Sequence, residues 1–382
     1  MTILLIVLGI ITLSAVVIWG GDCYHYLVDR YCRFHIGRWS DQNKWENAVI
    51  KKAIRWSVQT PTVKITDNNR YLLLDMMQGK YRSNTIQSWQ TGAIILGLSN
   101  INAPECSTAV QNAINRLIDK DGNLIRKPTN VDCGLLAYAI LKTSDPQKVK
   151  PAMDYAVNLI CNHIASDGMI SYVNDLQSDE RYVDTLGLTC PFLAYYASVY
   201  DKPECAQIAV EQIKQFSQYG LEIVSLLPNH AYSTSSKLSL GVYGWGRGVG
   251  WYVLGLIDTY KELPVCDDKI WIKNQIKRIA DNYRLFQRDD GGFGYIMQMQ
   301  YGYDSSATAV MAYFYRECSR IFNDNQYHEI ADRSMNKLRS VTRITGAIDW
   351  CQGDTKGIGV FAQTYGIMPF AQGMVLRTIQ KE

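Results

Sequence analysis

Apolar residues along this chain follow two regimes. From Ile3 to Trp19 they run on with only Thr12 and Ser14 between them, a stretch about long enough to cross a bilayer with help from its flanks. From Trp45 onward they recur at the helical period. Cys205, Ile208, Ala209, Ile213 and Phe216 share one helical face, as do Ile272, Ile276, Ile279, Ala280 and Tyr283, and again Ala307, Val310, Met311, Phe314 and Cys318. No comparable series of alternating positions predicts strands. One kind of turn recurs between the helical stretches: Asp119-Lys120-Asp121-Gly122, Ser166-Asp167-Gly168, Asp289-Asp290-Gly291-Gly292 and, more loosely, Thr345-Gly346-Ala347-Ile348-Asp349. Asp and Gly at such places end one helix and begin the next. Recurrence at roughly fifty residues, each interval spanning a helix pair, predicts an array of α-hairpins. Such an array stays open as a solenoid or closes into a toroid with an inner and an outer ring. The large interrupting loops, Tyr172 to Tyr182 and Leu227 to Gly250, favour the toroid, with a site built from loops at one end.

This pattern divides the chain into a membrane anchor or uncleaved signal at 1–21, a juxtamembrane segment at 22–44 and an all-α domain at 45–382. No Lys or Arg precedes the apolar run, whereas a cleaved signal peptide needs a basic start. Asp22 before Cys23 also makes a poor lipoprotein signal. The first cations, Arg30, Arg33 and Arg38, follow the run, so the positive-inside rule puts the main domain on the cytoplasmic side of a single-pass anchor. The alternative is an exported protein that keeps its signal.

With 382 residues, 47% of them apolar and 20% charged, the chain can fill a sizeable core. A net charge of +3 with no dense basic run excludes a nucleic-acid partner. The wealth of Tyr and Trp suits carbohydrate handling and suits a large helical core equally well. Ten cysteines show no C-x-x-C pair, and Cys133, Cys161, Cys190, Cys205 and Cys318 lie inside apolar helical runs, which predicts free thiols and a reducing compartment. His25, His35, His163, His230 and His328 have no metal-ligand spacing, so neither a metal nor a cofactor is expected.

Candidate chemistry centres on Gly244-Trp245-Gly246-Arg247-Gly248-Val249-Gly250-Trp251, read as a loop that enters a helix from Tyr252 to Tyr260. Four glycines allow close approach to the backbone, while two indoles and a guanidinium suit sugar faces and a carboxylate. The bland reading is a glycine-rich turn whose tryptophans plug an apolar gap. Asp132, Asp184 and Asp304 each stand where a helix begins. Taken singly, an Asp there most often caps the helix, but two carboxylates facing across a pocket also equip acid/base work at a glycosidic bond. His230, in Pro228-Asn229-His230-Ala231-Tyr232, could hold a hydroxyl or share a proton.

Taken together, Tyr182-Val183-Asp184-Thr185-Leu186 with its following Pro-Phe-Leu-Ala, the Trp245-x-Arg247-Gly248-x-Gly250-Trp251 stretch, and Asp304-Ser305-Ser306-Ala307-Thr308-Ala309 resemble glycoside hydrolase families 88 and 105, the unsaturated glucuronyl and rhamnogalacturonyl hydrolases. The resemblance covers about Trp89 to Leu376. It implies an (α/α)6 barrel and hydration of the C4–C5 double bond of an unsaturated uronic acid at the end of an oligosaccharide. It also implies Asp184 as the acid/base and Asp132 as an assisting carboxylate. His230, Trp245, Arg247 and Trp251 would bind the substrate, with Arg247 either pairing with the uronate or tuning the aspartates. Gly187, where the family often has a bulky residue, and Ala231-Tyr232-Ser233 after His230, in place of Gly-Trp-Asp, depart from the family pattern. The apolar N-terminus departs too. Two other readings stay open: an inverting glycosidase using Asp132 and Asp184, and a silent glycan-binding or assembly protein. A monomer or weak homo-oligomer is expected.

Overall fold

The computed structural model describes residues 1–34, 36–59, 61, 63, 64, 77, 81, 82 and 87–379. His35 lies outside the described residues, as does the side chain of His25. Among the described residues the barrel helices are α2 (Gln42–Val58), α3 (Ser88–Ser99), α4 (Pro104–Ile114), α5 (Cys133–Thr143), α6 (Pro146–Cys161), α7 (Asp184–Tyr200), α8 (Pro203–Tyr219), α9 (Gly246–Glu262), α10 (Asp267–Tyr283), α11 (Ser305–Phe322), α12 (Asn325–Ser340) and α13 (Pro369–Thr378), preceded by α1 (Thr2–Phe34). The odd-numbered helices α3 to α13 pack side by side in sequence, and α13 returns to α3, which closes the ring. The even-numbered ones lie outside it. The fold is an (α/α)6 barrel.

The burial patterns explain the two rings. The outer helices are amphipathic: α10 buries Ile272, Ile276, Ile279, Ala280 and Tyr283, and α8 buries Cys205, Ala209, Val210, Ile213 and Phe216. These match the predicted faces, with Ile208 half-buried at the margin. An inner helix touches protein on every side, so every residue from Ser305 to Cys318 is buried. The series Ala307 to Cys318, read as one face, is therefore a helix buried all round.

Inner helices approach so closely that side chains would obstruct them. A Cβ on Gly92 of α3 would lie 2.7 Å from the Leu135 carbonyl oxygen of α5, and one on Gly134 of α5 would lie 2.3 Å from that of Leu188 on α7. Gly187 of α7 would meet the Trp251 carbonyl of α9 at 2.6 Å, and Gly373 of α13 that of Ala93 on α3 at 2.2 Å. The N-terminal halves of neighbouring inner helices thus meet, and the inner helices start at the same end. Here Gly187, a departure from the family pattern, has a packing cause: it admits the backbone of α9.

Short connections such as 144–145 and 323–324 join inner to outer helices, while long loops such as 162–183, 220–245 and 341–368 lead into the inner ones. The Asp-Gly turns lie in these long loops, where they follow an outer helix and seat their glycines (Gly122, Gly291, Gly346) on the next one; they do not cap the inner helices. Among the described residues β1 (Val63–Lys64) pairs with β2 (Tyr81–Arg82), and two further small antiparallel sheets brace the loops. One joins β3 (Glu180–Tyr182), β4 (Ala231–Ser233) and β5 (Ser239–Leu240); the other joins β6 (Cys351–Gln352) and β7 (Tyr365–Gly366). All ten cysteines are free, and Cys133, Cys190, Cys205 and Cys318 are buried among apolar neighbours.

Helix α1 runs unbroken from Thr2 to Phe34, across Gly20-Gly21. Among the described residues its apolar part is unburied, while its last turns reach the barrel.

Candidate active site

Asp184 is the first residue of α7, and the strand just before it fixes its place. Tyr182 of β3 pairs with Ala231 of β4, and the Val183 N–H donates to the His230 carbonyl at 3.0 Å. His230 Nε2 then lies 3.7 Å from Asp184 Oδ2. His230 Nδ1 accepts from the Gly359 N–H at 3.3 Å, so the ring's own proton sits on Nε2, facing the carboxylate. The imidazole is 4.5 Å from the Trp245 ring and stacks on Phe361. Burial, and then the nearby Arg247 charge, push its pKa down to about 4, which keeps it neutral.

The Asp184 carboxyl is moved the other way. Only 15% of its side-chain surface is exposed, and Oδ2 is buried without a hydrogen-bond partner. Burial raises its pKa to about 7 against the pull of Arg247, and the charge of Asp354 adds to the rise. Its own backbone N–H and the Trp251 indole oppose it weakly. Near neutral pH this carboxyl can therefore still carry a proton.

Around Asp184 the pocket is lined by Gln87, Trp89, Tyr172, Leu188, Trp245, Arg247, Trp251, Asp354 and Thr355. Tyr172 is the meeting point of three carboxylates: after burial, the charges of Asp184, Asp132 and Asp354 hold its phenol above the ordinary range. Asp132 precedes α5 and makes no side-chain capping bond to it. The capping reading thus fails for Asp132 and Asp184. It holds for Asp304, which accepts from the Ser306 N–H at 2.9 Å and lies behind the pocket.

The Gly244–Trp251 stretch needs a larger correction. Helix α9 begins at Gly246, so Trp251 is in its second turn. What the glycines admit is protein: a Cβ on Gly246 would lie 2.4 Å from the Gly294 carbonyl oxygen, and one on Gly248 would lie 2.6 Å from the Trp245 ring. Trp245 and Trp251 are both buried, the first against His230 and Phe361, the second against Trp89 and Phe370. They plug and line at once. Arg247 donates to the carbonyls of Gln352 and Gly353, both at 2.8 Å. It clamps the segment that carries Asp354 and charges the surroundings of Asp184, which favours the tuning role over a free fork awaiting a uronate. Asp304 supports this clamp, since it also accepts from the Gln352 N–H at 3.0 Å.

Asp184, Trp245, Arg247 and Trp251 therefore line one pocket, with Asp132 near enough to act on Tyr172 and His230 set against Asp184. Sequence reasoning missed Gln87, Trp89, Asp354 and Thr355. Tyr172 was within reach, as the first aromatic of a loop already marked as unusual.

Carboxylates, indoles and a neutral imidazole at the loop end of an (α/α)6 barrel suit an enzyme that works on sugars. Residues 56–376 match the family model for Glycosyl Hydrolase Family 88, and the chain belongs to that family. Solved structures similar to it include a possible member of the GH105 family from Klebsiella pneumoniae subsp. pneumoniae MGH 78578, at 15% identity and a TM-score of 0.73 over 88% of this chain and 92% of that one. Another is the unsaturated glucuronyl hydrolase of Bacillus sp. GL1, responsible for glycosaminoglycan degradation, at 16% identity and a TM-score of 0.63 over 87% and 95%. An unsaturated glucuronyl hydrolase specific for heparin matches at 17% identity and a TM-score of 0.65 over 88% and 95%.

Proposed function

We propose that the protein releases an unsaturated uronic acid from the end of an oligosaccharide by hydrating its C4–C5 double bond. The observation that carries this reading is the Asp184 carboxyl, buried, with Oδ2 unpartnered and a pKa of about 7. An enol ether is electron-rich at C4 and needs an acid that still holds its proton at neutral pH. Asp184 gives its proton to C4, water bonds to C5, and the water's proton returns to Asp184. The hemiketal so formed opens and frees the neighbouring sugar. The charge of Asp354 favours the protonated acid, and Asp132 is the assisting carboxylate. Neutral His230 presents its Nε2–H beside the same carboxyl, and Trp245 and Trp251 offer apolar faces to the ring. In this reading α1 is a single-pass anchor, with Arg30, Arg33 and Arg38 placing the domain from residue 45 on the cytoplasmic side.

The test is to follow the ultraviolet absorbance of unsaturated uronyl disaccharides, prepared by lyase digestion of several polysaccharides, with the detergent-solubilised full chain and its Asp184→Asn variant. Absorbance should fall with the wild type and stay constant with the variant. Release of sugar with the absorbance intact would point instead to an inverting glycosidase. No reaction on any of them, from a folded protein, would sink the proposal.

A further inference from the structure

We propose that the loop-bearing mouth of the barrel rests against a lipid bilayer, so that the pocket is presented to glycans held at the membrane surface. This rests on α1 being an anchor. The foot of α1 is locked to one loop. Asp29 pairs with Arg343 at 2.7 Å, and Arg33 pairs with the fully buried Asp349 at 2.9 Å and donates to the Tyr365 carbonyl at 3.0 Å. Just beyond, Trp39 donates to the Thr342 carbonyl at 3.1 Å. All four partners belong to the 341–368 loop, which also supplies Gln352 to the Arg247 clamp, Asp354 to the pocket and Gly359 to His230.

The apolar run ends at Trp19, ten residues before Asp29 along an unbroken helix. At 1.5 Å per residue the mouth then sits about 15 Å along that helix from the bilayer edge. Apolar exposure follows the same polarity. Beyond Gln87, every large exposed apolar side chain except Val265 and Ile270 lies in a long loop leading into an inner helix. Three of them converge beside the pocket. Leu238 and Val242 flank β5 and Gly241, Val360 follows Gly359, and Gly241 packs on Ile358 and Gly359 over the His230 side chain. Lys237 and Lys356 are exposed in the same two loops. Apolar tips with lysines between them suit the headgroup region of an anionic leaflet.

The experiment uses the full chain in nanodiscs of phosphatidylcholine and phosphatidylglycerol, with the accessible native cysteines replaced by serine. A nitroxide is attached in turn through Leu8→Cys, Val242→Cys, Val360→Cys and Val265→Cys, and each label's collision rates with oxygen and with a water-soluble nickel chelate are measured. Labels at 242 and 360 should favour oxygen over nickel several-fold relative to the label at 265, while the label at 8 reads as deep lipid. If 8 is in lipid and 242 and 360 match 265, the docking face is wrong and the anchor stands. If 8 is in water, the anchor reading fails and takes this proposal with it.

Discussion

The inner ring holds a buried carboxylate at each end, and the two behave oppositely. Asp258, near the far end of α9, receives both Arg377 Nη atoms at 2.9 and 2.7 Å and the Tyr313 hydroxyl at 2.6 Å. Burial would raise its pKa, but Arg377 holds it below the ordinary value. Asp184, at the near end of α7, is raised to about 7 by burial with Oδ2 unpartnered, and Arg247, which pulls the other way, is committed to two backbone carbonyls. Burial is common to both. Whether a cation is free to face the carboxylate decides which becomes structure and which keeps a proton to give.

The contrast breaks most sharply at Asp184. Asp184→Asn should lower kcat by about 10²–10⁴-fold, the usual worth of a positioned acid/base, in the absorbance assay. The same change should stabilise the fold. With a pKa of about 7 when folded and 3.8 in the reference state, Asp184 binds extra protons in the native protein between those values, so its cost to stability grows as pH rises through that window. The variant should match wild type below pH 4 and exceed it by roughly 4 kcal/mol at most above pH 7; urea titrations at both pH values check this. Wild-type turnover should correspondingly decline as pH rises through about 7.

Asp258→Asn should do the reverse. By leaving Arg377 buried without its partner it should cost about 3–5 kcal/mol of stability in a urea titration, with the pH profile of the remaining activity unmoved. Asp304→Ala removes a cap and a bond to Gln352. A loss of about 1–2 kcal/mol is expected in the same titration, together with a raised KM as the Arg247 clamp loosens. The smallest effect is that of Asp354→Asn. Removing a charge that raises the Asp184 pKa should move the alkaline limb of the rate profile to lower pH, with the fold unchanged by circular dichroism. A limb that stays put would mean that burial alone sets the proton on Asp184.

Much of this was legible before any coordinates. The α8 and α10 faces, the recurrent Asp-Gly turns and the gathering of Asp184, Trp245, Arg247 and Trp251 could be read because periodicity and motif record local and family constraints. Less of the site's lining could be read. Asp354 and Thr355 lie in a segment without period, held where it is by a guanidinium more than a hundred residues away in the chain. Nor could spacing reveal that Arg247 would be spent on carbonyls, or that Asp304 alone of the three aspartates would cap its helix.

The seam between α3 and α13 bears on how the molecule is made. Gly97 and Gly373 bring the first and last inner helices into contact across nearly the whole domain. Contacts so distant in sequence form late, and a chain leaving the ribosome cannot make this one until α13 has emerged. Until then α3 exposes Ala93 and Gly97 along an open edge, and the ring has a gap. Assembly of the barrel is therefore a closing step that waits for α13, and a truncation that removes α13 should leave an unclosed, chaperone-dependent arc.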